Sequence, residues 1–175
     1  QEERRRFAQS VQMIFQDPYE SLNPRWTIKD IIKEPLDIHN IGALNDREEA
    51  VVEILRTVGL TPPENYLSRY PHEISGGQRQ RVSIARTLIM KPKFVICDEP
   101  TSMLDVSIRI SIMDLMLNLA KDLDVSYLYI THDLAVARYM CNRIAVMFNG
   151  KIVEIADTED LLQNPIHPYT KRLIS

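Results

Sequence analysis

Cysteine is scarce in this sequence, which has only two cysteines among 175 residues. That number is too small for the disulfide frameworks that stabilise small secreted domains. Cys97 and Cys141 each lie in or beside an apolar run, far apart in the chain, which favours two buried free thiols. We therefore expect a protein of a reducing compartment, with the cytoplasm as the default.

Long apolar runs and an excess of positive charge are also missing. No apolar stretch approaches the roughly 18 to 20 residues of a membrane-spanning helix, and no signal peptide opens the sequence. The net charge is −3, with acidic and basic residues interspersed. Arg4-Arg5-Arg6 follows Glu2-Glu3, which is more typical of a solvated helix face than of a contact surface. We therefore expect no nucleic-acid partner. If the protein acts at a membrane, we expect it to do so by binding a partner protein.

Glycine is limited to five positions, and none belongs to the phosphate-binding pattern G-x-x-x-x-G-K-[ST]. Only Gly150 precedes a lysine, and Ile152 stands where that pattern demands a hydroxyl. The loop that cradles the α- and β-phosphates of a nucleotide is therefore absent from these residues.

The hydrophobic content of 45% is enough for a substantial core, and the length suits one domain or most of one. Apolar runs of strand length alternate with amphipathic segments. We predict strands at residues 11–16, 93–100, 126–130, 143–148 and 151–156. The pair Asn149-Gly150 predicts a hairpin between the last two strands. The run at 93–100 is typical of a strand buried on both faces.

Helices are predicted between these strands. They cover residues 27–36 with an end at Pro35, 45–58 with Asn45 as the cap, 76 or 77 to 90, 105–123 and 134–141. Strands that alternate with helices indicate an α/β fold with a mainly parallel sheet, whose sites lie at the carboxyl ends of the strands. The hairpin is expected toward the end of that sheet.

Two acidic residues, Asp98 and Glu99, close the apolar run at 93–100. Adjacent carboxylates beside a buried strand are costly without a cation or a chemical task. In nucleotide hydrolases one such acid holds Mg²⁺, and a second orients or deprotonates the attacking water. The alternative is that both acids only cap the following turn. Gln16 and His132 also follow strands, and each taken singly is more typical of an ordinary loop residue.

The stretch Ser75-Gly76-Gly77-Gln78 stands at the start of a predicted helix. Unpaired amides at a helix N-terminus attract anions, and glycine lets the backbone approach them closely. The stretch therefore indicates a phosphate-binding element, although it lacks the lysine and the spaced glycine of the pattern above.

In order and spacing, these elements resemble the ATP-binding-cassette (ABC) family, the ATPase subunits that power membrane transporters. "FQDP" is similar to the family's Q-loop, "ISGGQ" to its signature, "FVICDE" to its Walker B strand, "SMLD" to its D-loop and "THD" to its H-loop. The resemblance spans residues 12–172. It departs from the usual pattern by apolar exchanges at Ile74 and Met103.

Two longer stretches narrow the resemblance. "QMIFQDPYESLNPRWTI" and "NPIHPYTKRLIS" are similar to the subgroup that energises oligopeptide and dipeptide import, with relatives that handle nickel or glutathione. The fold implied is an α/β, P-loop NTPase-like mainly parallel sheet flanked by helices, with an inserted helical subdomain and without the N-terminal part. Residues 1–175 would be a partial nucleotide-binding domain. Its parts would be a helical subdomain at about 18–90, core at about 91–157 and the start of a C-terminal extension at 158–175.

The resemblance implies catalytic roles for four residues. Asp98 would ligate Mg²⁺, usually through water, and Glu99 would polarise the attacking water. His132 would hold the γ-phosphate of ATP. Gln16 would reach the Mg²⁺ and the water while reporting on the transmembrane partner.

The resemblance also implies a site shared between two subunits. Ser75, Gly76, Gly77 and Gln78 would meet the γ-phosphate of an ATP held mainly by a second ABC ATPase subunit, the same chain or a different one. Asp105 would couple the two subunits. The other implied partners are transmembrane permease subunits and, indirectly, a substrate-binding protein, with this protein peripheral on the cytoplasmic face of the membrane.

The family's phosphate-binding loop and adenine-stacking aromatic lie upstream of the Q-loop. We therefore expect these residues to be an internal part of a longer ATPase subunit. In isolation, this part is expected to bind ATP weakly and to hydrolyse it negligibly. A chromosome-maintenance ATPase is disfavoured because the short spacing from Gln16 to Ile74 leaves no room for a long coiled coil. A non-catalytic module that supplies only a signature remains the alternative.

The segment at about 18–70 is expected to dock on the permease. Tyr19, Leu22 and Trp26 are candidates for that contact, and core packing is the alternative reading. The transported solute is not encoded here beyond peptides or similar small solutes.

Overall fold

The computed structural model describes residues 2–174, except for the side chain of Tyr19. The chain divides into two compact units, one ending at Ile130 and the other beginning at Thr131. The first unit contains a parallel sheet, and the second contains a hairpin with short helices. The subdomain boundaries inferred from the sequence stay a prediction.

The first unit is built on three parallel strands. These are β1 (Val11–Ile14), β2 (Phe94–Asp98) and β3 (Ser126–Ile130), in the sheet order β1-β2-β3. In the ladder Ile14 lies opposite Cys97, and Cys97 lies opposite Tyr129. All three strands therefore end at the same edge of the sheet, as the predicted α/β fold requires.

Burial alternates along the central strand β2. Val95 and Cys97 are buried, whereas Ile96 and Asp98 are only half-buried. The prediction of a strand buried on both faces was therefore wrong. Successive side chains of a strand point to opposite faces, and the described residues leave one face partly open, with Leu128 of β3 50% exposed.

Helices make up most of the remainder of the first unit. Those of the first unit are α1 (Glu2–Ser10), α2 (Pro18–Ser21), α3 (Ile28–His39), α4 (Leu44–Thr57), α5 (Glu64–Leu67), α6 (Gly76–Leu88) and α7 (Val106–Asp122). A short 3₁₀ turn, Pro71–Glu73, precedes α6. The helices predicted at 76–90 and 105–123 are confirmed within two residues at each end.

Helix α3 runs through Pro35 to His39, so the predicted end at Pro35 was wrong. Proline removes one intrahelical hydrogen bond. Here the apolar face continues on both sides of it, with Ile32 and Leu36 buried, and that burial outweighs the lost bond. The helix ends instead at Asn40, whose positive φ of 54° is the usual left-handed helix cap.

Helix α4 begins one residue earlier than predicted, at Leu44. Asn45 is not its cap. The carboxylate of Asp46 instead accepts a hydrogen bond from the Ala43 amide at 3.0 Å, so an acid in the first turn ties back the chain that enters the helix. Gly59 follows the helix with a φ of 76°, as its place in the sequence suggested.

The second unit contains an antiparallel hairpin. The strands of the hairpin are β4 (Arg143–Phe148) and β5 (Lys151–Asp157). The helices of this unit are α8 (Leu134–Met140), α9 (Thr158–Gln163) and α10 (Pro168–Ile174). The predicted turn is confirmed, since Asn149 and Gly150 both have positive φ, 48° and 75°. Among the described residues the hairpin forms a two-stranded sheet of its own, and its expected place toward the end of the parallel sheet stays a prediction. In the described residues β4 and β5 pair only with each other.

The "HPYT" segment is anchored on this hairpin. The carboxylate of Glu154 in β5 accepts hydrogen bonds from the amides of Ile166 and His167 at 2.8 and 3.0 Å. The ring of Tyr169 lies 4.3 Å from that of Phe148, measured between centroids. The segment that carries the resemblance to the subgroup is thus attached to the hairpin of its own unit.

Two further expectations concern the whole sequence. Both cysteines are free, with Cys97 buried and Cys141 half-buried. Within residues 2–174, no helix has the length and apolar character needed to cross a bilayer.

An ion pair in the second unit generates a pH prediction. Arg138 donates from Nε and Nη2 to the two carboxylate oxygens of Glu159, at 2.8 and 2.9 Å. These hydrogen bonds, together with the charge of Arg138, lower the pKa of Glu159 below its ordinary value. The pair therefore stabilises the fold above about pH 4.3, the usual pKa of a free glutamate, and this contribution is lost as the pH falls through the lowered value.

We expect Glu159→Gln to lower the melting temperature at pH 7 and to have no effect at a pH where Glu159 is protonated. Thermal unfolding followed by circular dichroism from pH 7 to pH 3 measures the difference. Asp160→Asn on the same helix removes the same charge without that ion pair and is the control. A difference from wild type that does not depend on pH would contradict the assignment.

Candidate functional site

The carboxyl ends of β1 and β2 bring two predicted site residues together. Gln16 follows β1 by two residues, and Glu99 follows β2 directly. The side-chain amide of Gln16 donates from Nε2 to Oε2 of Glu99 at 3.5 Å, a long hydrogen bond. Residues 83 positions apart in sequence thus share one edge of the sheet, as the strand pattern predicted.

The backbone of Glu99 adopts an unusual conformation. Its φ is +42°, a region that non-glycine residues rarely occupy and that costs of the order of 1–3 kcal/mol. Its amide donates to the carbonyl of Ile130 in β3 at 3.0 Å. Its carbonyl accepts from both the amide and the hydroxyl of Ser102, at 3.1 and 3.0 Å. Both peptide groups of Glu99 are therefore fixed by the neighbouring chain.

Asp98 is half-buried at the last position of β2, opposite Ile130 in the ladder. In the described part of the chain, no three His, Cys, Asp or Glu side chains are grouped so as to hold a metal ion. Mg²⁺ often takes only one or two protein ligands and completes its shell with water and phosphate oxygens. Asp98 and Gln16 are suited to such a partial set.

The predicted phosphate-binding stretch begins α6 as a capping box. The Ser75 hydroxyl accepts from the Gln78 amide at 3.3 Å, and Gln78 Oε1 accepts from the Ser75 amide at 2.9 Å. Gln78 Nε2 also donates to the hydroxyl of Tyr66 at 3.4 Å. The side chains of Ser75 and Gln78 thus shape the helix start, and the amides of the first turn have no acceptor within the helix.

The two glycines of this stretch differ in their surroundings. A Cβ added to Gly76 would lie 3.7 Å from Cδ2 of Leu104, an ordinary contact. A Cβ added to Gly77 would lie 2.6 Å from Cγ2 of Ile108, inside contact distance. Gly77 is therefore needed for the close packing of α6 on α7, a reason that the sequence did not provide.

Arg79 is a structural residue of this site that the residue pattern did not predict. It is buried, and its Nη1 donates to the carbonyls of Pro71 and Ile74 at 2.9 and 2.7 Å. These two hydrogen bonds fix the backbone that leads into the signature-like stretch. The one indication in the sequence was the position of this arginine among the apolar residues of the predicted helix.

Asp105 is exposed at the position preceding α7. Two apolar side chains close to it in sequence, Met103 and Val106, are 65% and 70% exposed. Because Leu104 lies against Gly76, the D-loop-like stretch is next to the signature-like stretch. An uncovered apolar surface thus adjoins the start of α6.

His132 lies in the second unit, exposed between Thr131 and Asp133. Asp133 caps α8 by accepting from the amides of Ala135 and Val136 at 2.9 and 3.3 Å. The structure thus fixes the local backbone around His132.

An open groove of about 380 Å³ lies along α3, on the segment predicted to dock on a permease. It is lined by Trp26, Asp30, Lys33, Glu34, Asp37 and Ile38. Trp26 is 39% exposed, and Ile38 is 62% exposed. Leu22 is buried in the core, so its candidacy as a contact residue was wrong. The side chain of Tyr19 lies outside the described part of the structure.

The contrast between the two glycines gives a testable prediction. Gly77→Ala should lower the free energy of unfolding by about 1–3 kcal/mol, because the added methyl group overpacks the contact with Ile108. Gly76→Ala, the matched control, should be tolerated because its methyl group meets only ordinary contacts. Urea unfolding of both variants measures the difference. Equal stability of the two would refute the packing role of Gly77.

Relatives of this chain are ATP-binding proteins of peptide transport. The chain is 52% identical over 170 residues to the oligopeptide transport ATP-binding protein OppF of Bacillus subtilis, covering 97% of this chain and 55% of that protein. It is 49% identical over 174 residues to the dipeptide transport ATP-binding protein DppF of Lactococcus lactis, covering 99% and 55%. The chain spans about half the length of these relatives.

Two solved structures share the fold. The protein cbiO1 from Clostridium perfringens, part of the ABC transporter complex cbiONQ, superposes with a TM-score of 0.80 at 27% identity, covering 91% of this chain and 61% of that one. An ATP-binding cassette solved as a dimer in a post-hydrolysis state with ADP and Pi superposes with a TM-score of 0.75 at 29% identity, covering 90% and 67%. The expected P-loop NTPase-like fold class is confirmed.

A family model described as "ABC transporter" matches residues 1–102, more than half of the sequence. The matched stretch includes β1, the start of α6, β2 and Glu99. The resemblance drawn from the motifs is therefore confirmed, and this chain belongs to the ABC transporter family.

Proposed function

We propose that this chain is part of an ATPase subunit that couples ATP hydrolysis to the import of peptides or similar small solutes. The observation that carries the proposal is the contact of Gln16 with Glu99 at the carboxyl ends of two neighbouring parallel strands. The names of the relatives, which are oligopeptide and dipeptide transport ATP-binding proteins, support the solute class.

In this proposal Glu99 polarises the attacking water. A carboxylate acts in this way when its oxygen lies within hydrogen-bond reach of the water that attacks the phosphate. The side-chain amide of Gln16 lies 3.5 Å from that carboxylate, so the same water can contact both groups. Bound Mg²⁺ would neutralise charge on the phosphates, with Asp98 as a ligand through water and Gln16 beside it.

The start of α6 supplies half of a second site. Ser75, Gly76, Gly77 and Gln78 meet the γ-phosphate of ATP held mainly by the second subunit, and the Gly76 and Gly77 amides and the positive end of the helix dipole attract this anion. Asp105 couples the subunits from a position beside this helix start, within exposed apolar surface that a second subunit would cover. In the same proposal, His132 holds the γ-phosphate of ATP.

The catalytic assignment has a direct test in the full-length subunit. Glu99→Gln keeps the size and shape of the side chain but removes the carboxylate that polarises water. It should leave MgATP binding within about twofold and reduce turnover by about 10²-fold or more. Nucleotide titration and phosphate-release assays measure the two quantities.

Glu73→Gln is the control, because Glu73 is a carboxylate near the signature whose bond to the Tyr70 amide lies outside the proposed chemistry. Unchanged hydrolysis in Glu99→Gln would remove Glu99 from the catalytic role. If neither the wild-type subunit nor Glu99→Gln hydrolysed ATP, the result would favour the non-catalytic alternative.

We also propose that the α3 groove receives the transmembrane permease, with the chain peripheral on the cytoplasmic face of the membrane. Trp26 and Ile38 offer apolar contact area there. The acids at the rim are partly neutralised, because Glu34 pairs with Arg86 and Asp37 pairs with Arg47, each at 2.7 Å. A groove with paired charges and exposed aromatic surface suits a protein partner.

Trp26→Ala should weaken binding of the subunit to its permease by about tenfold or more, as expected for a central aromatic contact. Co-purification and surface-plasmon measurements with detergent-solubilised permease report the change. Phe7→Ala, which removes an exposed aromatic residue from α1, is the control. Equal binding by both variants would argue against this groove as the docking surface.

A further inference from the structure

A hydroxyl pair ties the turn that carries Glu99 to the neighbouring strand. Thr101 Oγ1 and the hydroxyl of Tyr129 in β3 lie 3.2 Å apart, and either atom can be the donor. Thr101 is buried, with 3% of its surface exposed. Tyr129 is half-buried, so this hydrogen bond is partly shielded from water, and removing one hydroxyl costs part of the desolvation of the other.

The turn needs such support because its first residue is strained. The positive φ of Glu99 persists only where the surrounding structure over-determines it. Ile130 and Ser102 fix the two peptide groups of Glu99. Thr101 is the third residue of the same turn, counted from Glu99. Its hydrogen bond with Tyr129 holds the end of this turn against strand β3.

We propose that Tyr129 is a positioning residue for ATP hydrolysis, acting through Thr101 to hold the Glu99 carboxylate beside Gln16. The inference rests on the proposed function, because Glu99 has to be the group that polarises water. Without the Tyr129 hydroxyl the turn can relax toward negative φ at Glu99. The carboxylate then leaves its position, while the groups proposed to hold the nucleotide stay in place.

Tyr127 provides an internal control on the same strand. It is two residues earlier and therefore on the same face of the sheet as Tyr129. Burial, with a smaller contribution from Cys97, raises the pKa of Tyr127 above its ordinary value. Its hydroxyl is buried and has no hydrogen-bond partner among the described residues. The change to phenylalanine at Tyr127 thus removes an equivalent hydroxyl without breaking a bond.

The kinetic test uses the full-length subunit in its assembled form and compares Tyr129→Phe, Thr101→Val, their double mutant and Tyr127→Phe. Tyr129→Phe and Thr101→Val should each lower kcat by about tenfold or more, since small misplacements at a reacting centre cost up to about 10²-fold. KM for ATP should stay within about twofold. The double mutant should be no slower than the slower single mutant, and Tyr127→Phe should match wild type.

A second measurement does not depend on ATPase activity. Hydrogen exchange at the amides of Glu99 and Ser102 should accelerate in Tyr129→Phe and stay slow in Tyr127→Phe. Equal exchange in these two variants, or faster exchange with an unchanged kcat, would overturn the positioning role. A wild-type subunit without ATPase activity would instead overturn the proposed function, and with it any catalytic role of Tyr129.

Discussion

The burial of helix α6 is the constraint on which the rest of the first unit depends. Nine of its thirteen residues are buried, so it needs neighbours on nearly every side. These neighbours are helices α2, α3, α4 and α7 and strand β1. The first turn of α6 is held by the same packing, because Gly77 meets Ile108 and Arg79 binds the carbonyls that precede the helix. An anion at this helix start would meet amides that are already fixed in space.

The sequence predicts the part of the site that depends on strand order. Parallel strands end at one edge of a sheet, so a polar residue after each of two neighbouring strands is expected beside the other. The contact between Gln16 and Glu99 follows from that rule together with two correctly located strands. The capping box of Ser75 and Gln78 was predictable in the same way, because its residue types and spacing act locally.

Features that depend on packing between distant segments were not predictable. The positive φ of Glu99 arises from bonds to Ile130 and Ser102, and nothing in the local residue pattern specifies the first of these. The distinction between Gly76 and Gly77 requires knowing where Ile108 lies. The continuation of α3 through Pro35 likewise depends on the burial of Leu36, which outweighs a local helix-ending signal.

One short segment links the two halves of the proposed chemistry. From Glu99 the chain reaches Thr101, whose carbonyl accepts from the Leu104 amide at 3.2 Å, and Leu104 lies against Gly76 at the start of α6. In the proposed function, a nucleotide at this helix start would lie beside Leu104, three residues after Thr101. Thr101 also forms the hydroxyl pair with Tyr129. In the proposed function this pair therefore joins the turn that orients the Glu99 carboxylate to the segment that packs on the start of α6.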